Sequence, residues 1–358
     1  MIKQSYNIIG VMSGTSLDGV DLAYIDFNIQ NGEYKYEIKE AATIPYNKEW
    51  IVRLKNAVDF IELQLQQLDK DYTVLLSQII KSFIEDNSLQ GIDAVCSHGH
   101  TILHQPAKRL TLQIGNLPEI AKLTQQRVVC NFRVQDVAMG GQGAPLVPIG
   151  DGLLFSDYFF CLNLGGFSNI SFEKEGRHMA YDICAVNTVL NYYAGEMGFP
   201  YDDKGKIAAS GSISNEMLNE LNDLGFYTKP YPKSLGFEYV KTTVIPLIEK
   251  YAIPATDKLA TYTEHIAVQL AAAVKKEAGK KTLLITGGGA YNDHLIMRLK
   301  DLLPDFNVTV PDDKTIQYKE ALIFGLLGVL RLREEINVLS SVTGAPADHC
   351  AGFIYEPI

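Results

Sequence analysis

The stretch Gly10-Val11-Met12-Ser13-Gly14-Thr15-Ser16-Leu17-Asp18-Gly19-Val20-Asp21 constrains this chain more than any other. An apolar run, Tyr6 to Met12, leads into it, and a β-type alternation, Val20 to Phe27, leads out. Two strands joined by small, hydroxyl and acidic residues make a hairpin whose tip is mostly exposed backbone N–H. Glycine lets that backbone approach a ligand, and a nest of N–H groups and hydroxyls suits a phosphate chain. Asp18 and Asp21 would repel a bare phosphate, so they call for a divalent cation or its waters. Gly14 and Gly19 have P-loop spacing, but Val20 and Asp21 stand where Lys and Ser/Thr should be. A strand follows where a P-loop opens a helix, so the P-loop is rejected. An ordinary hairpin turn is the local alternative.

Composition sets the outer bounds. The 358 residues suffice for two domains, and 47% hydrophobic with 21% charged residues is the balance of a globular chain with a sizeable core. A net charge of −10 argues against a nucleic-acid partner held through its backbone. Cys96, Cys130, Cys161, Cys184 and Cys350 are scattered, form no CxxC and read as reduced, mostly buried thiols. No signal sequence and no apolar run of ~18 residues is present, so a cytoplasmic enzyme without a membrane partner is expected.

Strands alternate with helices along the chain, which predicts an α/β fold with mixed sheets. Tyr34–Ile44 is a third strand, and Leu75, Leu76, Ile79, Ile80 and Phe83 mark an amphipathic helix. Ile92–Ser97 is a strand ending in Ser97-His98-Gly99-His100-Thr101; Arg127–Cys130 is another, with Asn131-Phe132-Arg133 at its carboxyl end. Polar clusters in such places bind ligands in α/β sheets. The glycine-rich run 140–145 marks a boundary: residues 1–135 form one domain, onto which the tail 339–358 packs back, and 136–358 form the second. The pattern then restarts. Tyr158–Leu164, the turn Gly165-Gly166-Phe167 and Ser168–Phe172 repeat the strand–glycine turn–strand unit, which suggests an internal duplication into two related domains facing a central cleft. A long helix over 257–277, a strand over 281–286 ending in Gly287-Gly288-Gly289, and a buried helix over 317–335 complete the second half.

Three glycine turns at strand ends suggest a nucleotide held between two lobes. Asp182, ending a strand, is the candidate base, or else a cap of the next helix. His98 and His100 lack a third ligand nearby, so a polar substrate contact or a hydrogen-bonded loop histidine fits them better than a metal site. Arg133 either pairs with Asp136 or holds a substrate carboxylate. Glu320 either favours the helix dipole or touches ligand. His104, His178, His265, His294 and His349 read as structural or solvated.

Together these residues resemble one family, the anhydro-N-acetylmuramic acid kinases of the actin/hexokinase/Hsp70-like ATPase superfamily. Gly10–Asp21 resembles its opening phosphate motif, and Ser97–Thr101 resembles SHGQT with His100 for Gln. Thr111–Gly115 matches the family's next motif. Asn131-Phe132-Arg133 resembles DFR, and Ala138–Pro148 resembles AAGGQGAPLVP. Asn163–Asn169 resembles NIGGIAN, Gly287–Asn292 resembles GGGAHN, and Lys319-Glu320-Ala321 and Val342–Ala345 fit the closing motifs. The resemblance implies an actin-like (ribonuclease H-like) fold, ATP and Mg2+ as cofactors, and an anhydro-amino-sugar as substrate. The implied reaction opens the 1,6-anhydro ring with water and phosphorylates the freed O6, in cell-wall recycling. Asp182 falls on the base. Gly14, Thr15, Ser16, Leu17, Asp18, Gly19, Val20, Asp21, Gly165, Gly166, Asn169, Gly287, Gly288 and Gly289 fall on the nucleotide site. Asp18 and Asp21 fall near the metal, through water, and His98, Thr101, Arg133 and Glu320 near the substrate. A homodimer through an exposed apolar patch is also implied.

Two departures stand out. Where the family reads FDTGPGN, this chain has Tyr181-Asp182-Ile183-Cys184-Ala185-Val186-Asn187, which makes a less open loop if its backbone meets ligand. Leu235 and Phe237 replace Thr and Arg of KSTGRE. They leave two rival readings, a kinase of altered sugar and a nucleotide-binding regulator without turnover.

Overall fold

The computed structural model describes residues 3–14 and 17–358. The chain packs as two compact units, residues 1–154 with 318–358, and residues 155–317. The sequence boundary at 135/136 falls inside the first unit, and the returning segment starts at Tyr318, upstream of the tail 339–358.

The first unit holds β1 (Ser5–Ser13), β2 (Gly19–Gln30), β3 (Glu33–Pro45), β4 (Ala94–Gln105), β5 (Leu110–Ile114) and β6 (Val128–Cys130). The second holds β7 (Phe160–Leu164), β8 (Phe167–Lys174), β9 (Arg177–Ala185), β10 (Thr282–Thr286) and β11 (Asn307–Thr309). The chain's last strand, β12 (Phe353–Tyr355), returns to the first unit and pairs antiparallel with β6. The first sheet runs β12-β6-β4-β1-β2-β3, with β5 on β4; the second runs β11-β10-β7-β8-β9. Stripped of β12 and β5, the two are one topology. An antiparallel meander of three strands is extended by two parallel strands, β4 and β6 in one unit and β10 and β11 in the other. The duplication expected from two glycine hairpins is therefore a duplication of whole sheets. This strand order is that of the actin-like, ribonuclease H-like α/β class.

The sequence of β1 reads as a near-continuous apolar run because both its faces are covered. Ile9 and Val11 join Leu22, Val95 and the helix Glu62–Asp86 through Leu68, Tyr72 and Leu76, all nearly inaccessible. On the other face lies the helix Asp313–Leu332, whose small residues admit the sheet at close range. A Cβ on Gly10 would sit 2.0 Å from the Ala321 carbonyl oxygen, and one on Gly328 would sit 2.0 Å from Cys96 Sγ. Tyr318 breaks this helix with φ −110° and ψ 15°, so Glu320 stands in the first turn of the segment that enters the first unit. In the second unit Leu162, Leu164, Ile170, Tyr181 and Ile183 meet Tyr262, Ile266 and Leu270 of the helix Ala255–Lys276.

All five cysteines are free, and four are buried. Among the described residues no helix is long and apolar enough to cross a membrane.

Candidate active site

In the first unit the hairpin between β1 and β2 closes with the Leu17 amide donating to the Gly14 carbonyl at 3.3 Å. Leu17 takes φ +62°, a conformation that a side chain adopts at some strain, as turn tips under functional constraint do. Thr15 and Ser16 lie outside the described residues. Asp18 is exposed at the tip. Asp21 Oδ1 accepts from Thr43 Oγ1 at 2.6 Å. Burial raises the Asp21 carboxyl above its ordinary range, the Thr43 bond lowers it, and the charge of Asp18 raises it again. Two like charges within reach of one another fit a hydrated cation. Among the described residues no group of three or more His, Cys, Asp or Glu makes a protein cage for one.

Beneath the hairpin lies a chain of buried polar groups. Ser13 Oγ meets His100 Nδ1 at 2.8 Å and Tyr46 Oη at 2.6 Å, and Tyr46 Oη meets Tyr72 Oη. In each hydroxyl pair either oxygen can be the donor. Burial pushes the His100 pKa down to about 4, so its ring is neutral near pH 7.

The motif Ser97–Thr101 does not end a strand, as expected, but lies inside β4. Gly99 makes this work: with φ +74° it fits where a Cβ would meet Asn116 Nδ2 and the Ile114 carbonyl oxygen at 2.6 Å. His98 is buried, with Nδ1 donating to the Gly99 carbonyl at 2.9 Å and Nε2 accepting from Arg133 Nε at 2.9 Å. Burial, then the Arg133 charge, holds its pKa well below the usual range, so it is a fixed acceptor. Arg133 also donates to the Gly143 carbonyl at 2.6 Å, and burial lowers its pKa to about 10.

The expected alternative of an Arg133–Asp136 ion pair is not formed. Asp136 is fully buried and accepts instead from the Gly143 amide at 2.6 Å and Thr343 Oγ1 at 2.7 Å. A Cβ on Gly141 would collide with that carboxylate at 2.2 Å, which accounts for the glycine there. Asp136 therefore locks the glycine-rich run 140–143 and leaves the guanidinium to face other groups.

Glu320 stays open to solvent. The protein around it still raises its carboxyl, Arg133 lowers it, Asp21 raises it and Lys319 lowers it. Asp21, Arg133 and Glu320 thus share one electrostatic neighbourhood in this unit. Thr101 accepts from Gln113 Nε2 at 3.3 Å. A pair that sequence reasoning did not single out anchors the helix start: Lys319 Nζ to Asp151 Oδ1, 2.7 Å and buried on both sides.

In the second unit, strand register builds the site. Asn163 faces Asn169 across β7–β8, and Asn169 faces Asp182 across β8–β9, so three polar side chains lie in one row. The other face of the same strands is core. Asp182 Oδ2 accepts from the Leu235 amide at 2.8 Å, while the Asp182 amide donates to the Lys233 carbonyl at 3.0 Å. Burial raises the Asp182 carboxyl and the Leu235 bond lowers it, with burial the larger. The bond to Asp182 comes from the Leu235 backbone amide, so it does not depend on the side chain at that position. Phe237 is 60% exposed and puts an apolar ring in solvent where the family has a charge.

The departure at Ile183–Val186 lies elsewhere than expected. β9 continues to Ala185, and Ile183, Cys184, Ala185 and Val186 are all core residues, at most 3% exposed. Cys184 is bonded to Ser168 through its amide, carbonyl and sulfur. The bulk that was expected to narrow a ligand loop fills the interior instead. The Gly166 carbonyl accepts from the Val186 and Thr188 amides, and the Gly165 carbonyl from Asn187. Gly287, at φ +82°, approaches Asn163 so closely that a Cβ would lie 2.5 Å from its Oδ1; Gly289 does the same against Leu164. The triple-glycine turn thus packs against β7, and Asn292 caps the next helix by accepting from the Leu295 amide at 3.0 Å.

One α/β topology occurring twice, with a glycine turn after the first strand of each copy and a carboxylate further along each meander, is the arrangement of an ATPase-fold phosphotransferase. The family model described as anhydro-N-acetylmuramic acid kinase matches residues 6–357. The anhydro-N-acetylmuramic acid kinase of Sulfurimonas denitrificans is 32% identical over 369 residues, covering 97% of this chain and 99% of that one. The enzyme of the same name from Mannheimia succiniciproducens is 34% identical over 381 residues, covering 99% and 100%. Among solved structures, the activator of the 2-hydroxyisocaproyl-CoA dehydratase from Clostridium difficile with bound ADPNP aligns at a TM-score of 0.46 and 13% identity, over 92% of this chain and 96% of that one. Strand order, not this distant likeness, fixes the fold class. The chain belongs to the anhydro-N-acetylmuramic acid kinase family, and is a sugar kinase of that type.

Proposed function

We propose that this chain uses ATP to convert 1,6-anhydro-N-acetylmuramic acid and water into N-acetylmuramic acid 6-phosphate, in the recycling of cell wall in the cytoplasm. The observation that carries the reading is Asp182: a partly buried carboxylate with a raised pKa, one oxygen held by the Leu235 amide, in register with Asn169. A carboxylate so held can take a proton from water without turning away. In the proposed step Asp182 removes that proton as the water oxygen bonds to the anomeric carbon. The bond from that carbon to O6 breaks, and O6 bonds to the γ-phosphorus as ADP leaves.

The turns 14–20, Gly165–Gly166 and Gly287–Gly289 are assigned to ATP, with Asn169 beside them. His98, Thr101, Arg133 and Glu320 are assigned to the sugar, Arg133 as the partner of its lactyl carboxylate. Asp18 and Asp21 are assigned to the waters of Mg2+, which supplies charge neutralisation at the phosphates when bound. The two units serve as two functional domains, one carrying the hairpin and the other Asp182 and the triple-glycine turn. A homodimer is included in the proposal, through the exposed apolar residues Val52, Val58, Ile61 and Leu63.

A coupled ADP-release assay with 1,6-anhydro-N-acetylmuramic acid tests the reaction. Asp182→Asn should lower turnover by about 10²–10⁴. Unchanged turnover in that variant refutes the base. ATP binding without ADP release on any anhydro-sugar refutes the reaction.

A further inference from the structure

The face of β9 opposite Asp182 closes a second cavity. Strand alternation turns Tyr181 and Ile183 away from Asp182, towards a loop carrying Tyr227, Lys229, Tyr231 and Lys233 and towards the end of the helix Ala255–Lys276. The cavity they line has a volume of about 90 Å³. Tyr181 and Tyr231 stack as a wall, centroids 4.9 Å apart and rings 5° from parallel. Lys233 Nζ lies 5.8 Å from the Tyr181 ring and donates to the Phe226 and Tyr227 carbonyls at 3.2 and 3.4 Å. Lys229 and Lys276 stand exposed at the rim.

The charge balance here runs against the rest of the chain. The sequence has 42 acidic and 32 basic residues. Yet Lys229, Lys233 and Lys276 converge on this opening and form no ion pair among the described residues. The carboxylate near Tyr231, Glu277, is already paired with Lys174 at 2.9 Å, and that ammonium also donates to Tyr231 Oη at 3.0 Å. Lys233 feels burial and the like charges of Lys276 and Lys229, all of which disfavour its charged form. Three ammonium groups held together without a counter-charge gain from an anion placed among them. A phosphate ester, with about −1.5 to −2 charges and three acceptor oxygens, matches them better than a carboxylate does. A cavity of that size, open on one side, admits a phosphate head.

We propose that this cavity is a binding site for the phosphate head of a phosphomonoester whose alcohol part lies in solvent. Lys229, Lys233 and Lys276 are its charge partners and the Tyr181–Tyr231 stack is its wall. The site is separate from the candidate active site but is joined to it by three residues of backbone. Lys233 lines the cavity with its side chain while its carbonyl receives the Asp182 amide, and Leu235, two residues on, holds Asp182 Oδ2. Occupancy therefore bears on the orientation of Asp182.

Calorimetric titration of the full chain with phenyl phosphate, in the presence of a saturating non-hydrolysable ATP analogue, tests the site. Binding in the range of about 0.1–1 mM is expected, and the double variant Lys229→Glu/Lys276→Glu should weaken it at least about tenfold. Benzyl alcohol, which lacks the charge, should not bind. Both lysines are exposed, so the variant should keep the parent's circular dichroism; if it does not, Lys276→Gln alone should still weaken binding measurably. No binding to the parent chain, or equal binding to parent and charge-reversed variants, overturns the proposal.

Discussion

Mild acid should destabilise this protein, because three histidines are held neutral in the folded state. His100 is pushed down to about 4 and His265 to about 3, and His98 lies well below its usual range, each by burial. Two of them also have a bond that needs an unprotonated nitrogen: His98 Nε2 accepts from Arg133, and His265 Nε2 from Tyr227 Oη at 2.8 Å. The unfolded chain binds these protons with pKa about 6.5 and the folded chain does not, so stability is lost as pH falls below that value. Between about pH 7 and about pH 5.5 the loss is about 1.3 kcal/mol per histidine, or about 4 kcal/mol for three. Asp21, Asp69, Asp182 and Glu320 have raised carboxyls and act with the opposite sign as they take up protons. His98 and His100 belong to the first unit and His265 to the second, so the first should lose about twice as much.

Urea unfolding at the two pH values measures the total, and hydrogen exchange resolves the units. In His100→Gln, which keeps a polar partner for Ser13, the pH-dependent loss should shrink by about 1.3 kcal/mol. An undiminished loss in that variant would show that His100 is protonated within the fold.

Three further outcomes follow from the geometry. Gly10→Ala forces a Cβ to within 2.0 Å of the Ala321 carbonyl oxygen, so the helix bearing Glu320 must shift; a loss of about 2–4 kcal/mol in chemical denaturation is expected, with a raised KM for the sugar. Tyr72→Phe removes the hydroxyl bonded to Tyr46 Oη and leaves that buried oxygen one partner short, which should cost about 1–2 kcal/mol in thermal unfolding. Phe237→Arg restores the family's charge at a 60% exposed position; stability should change by less than about 0.5 kcal/mol, while kcat/KM on the anhydro-sugar rises if that charge meets substrate.

Local pattern made much of this molecule readable. The apolar run into Gly10, the alternation after Gly19 and the second glycine hairpin at Gly165–Gly166 foretell both meanders, because strand periodicity and turn chemistry are properties of neighbouring residues. What stayed hidden depends on partners distant in sequence. Ser13, Tyr46, Tyr72 and His100 form one hydrogen-bonded chain, yet nothing near any one of them announces the others. Asp136 sits three residues from Arg133 but is claimed by Thr343, two hundred and more residues away, which no spacing rule detects. The apolar departure at Ile183–Val186 looked like a change at a ligand loop because sequence does not say which way a strand end faces; register does.

The second unit is one continuous stretch, 155–317, inserted into the first, whose final helix and strand come from 318–358. This sets an order on the ribosome. The inserted unit has all its strands once its own residues have emerged. The sheet built from the first hundred and thirty residues waits, with the Gly10 face of β1 and the Cys96 face of β4 uncovered, until Ala321 and Gly328 arrive. The part of the chain made first is completed last, and during synthesis its apolar sheet is the surface that a chaperone would meet.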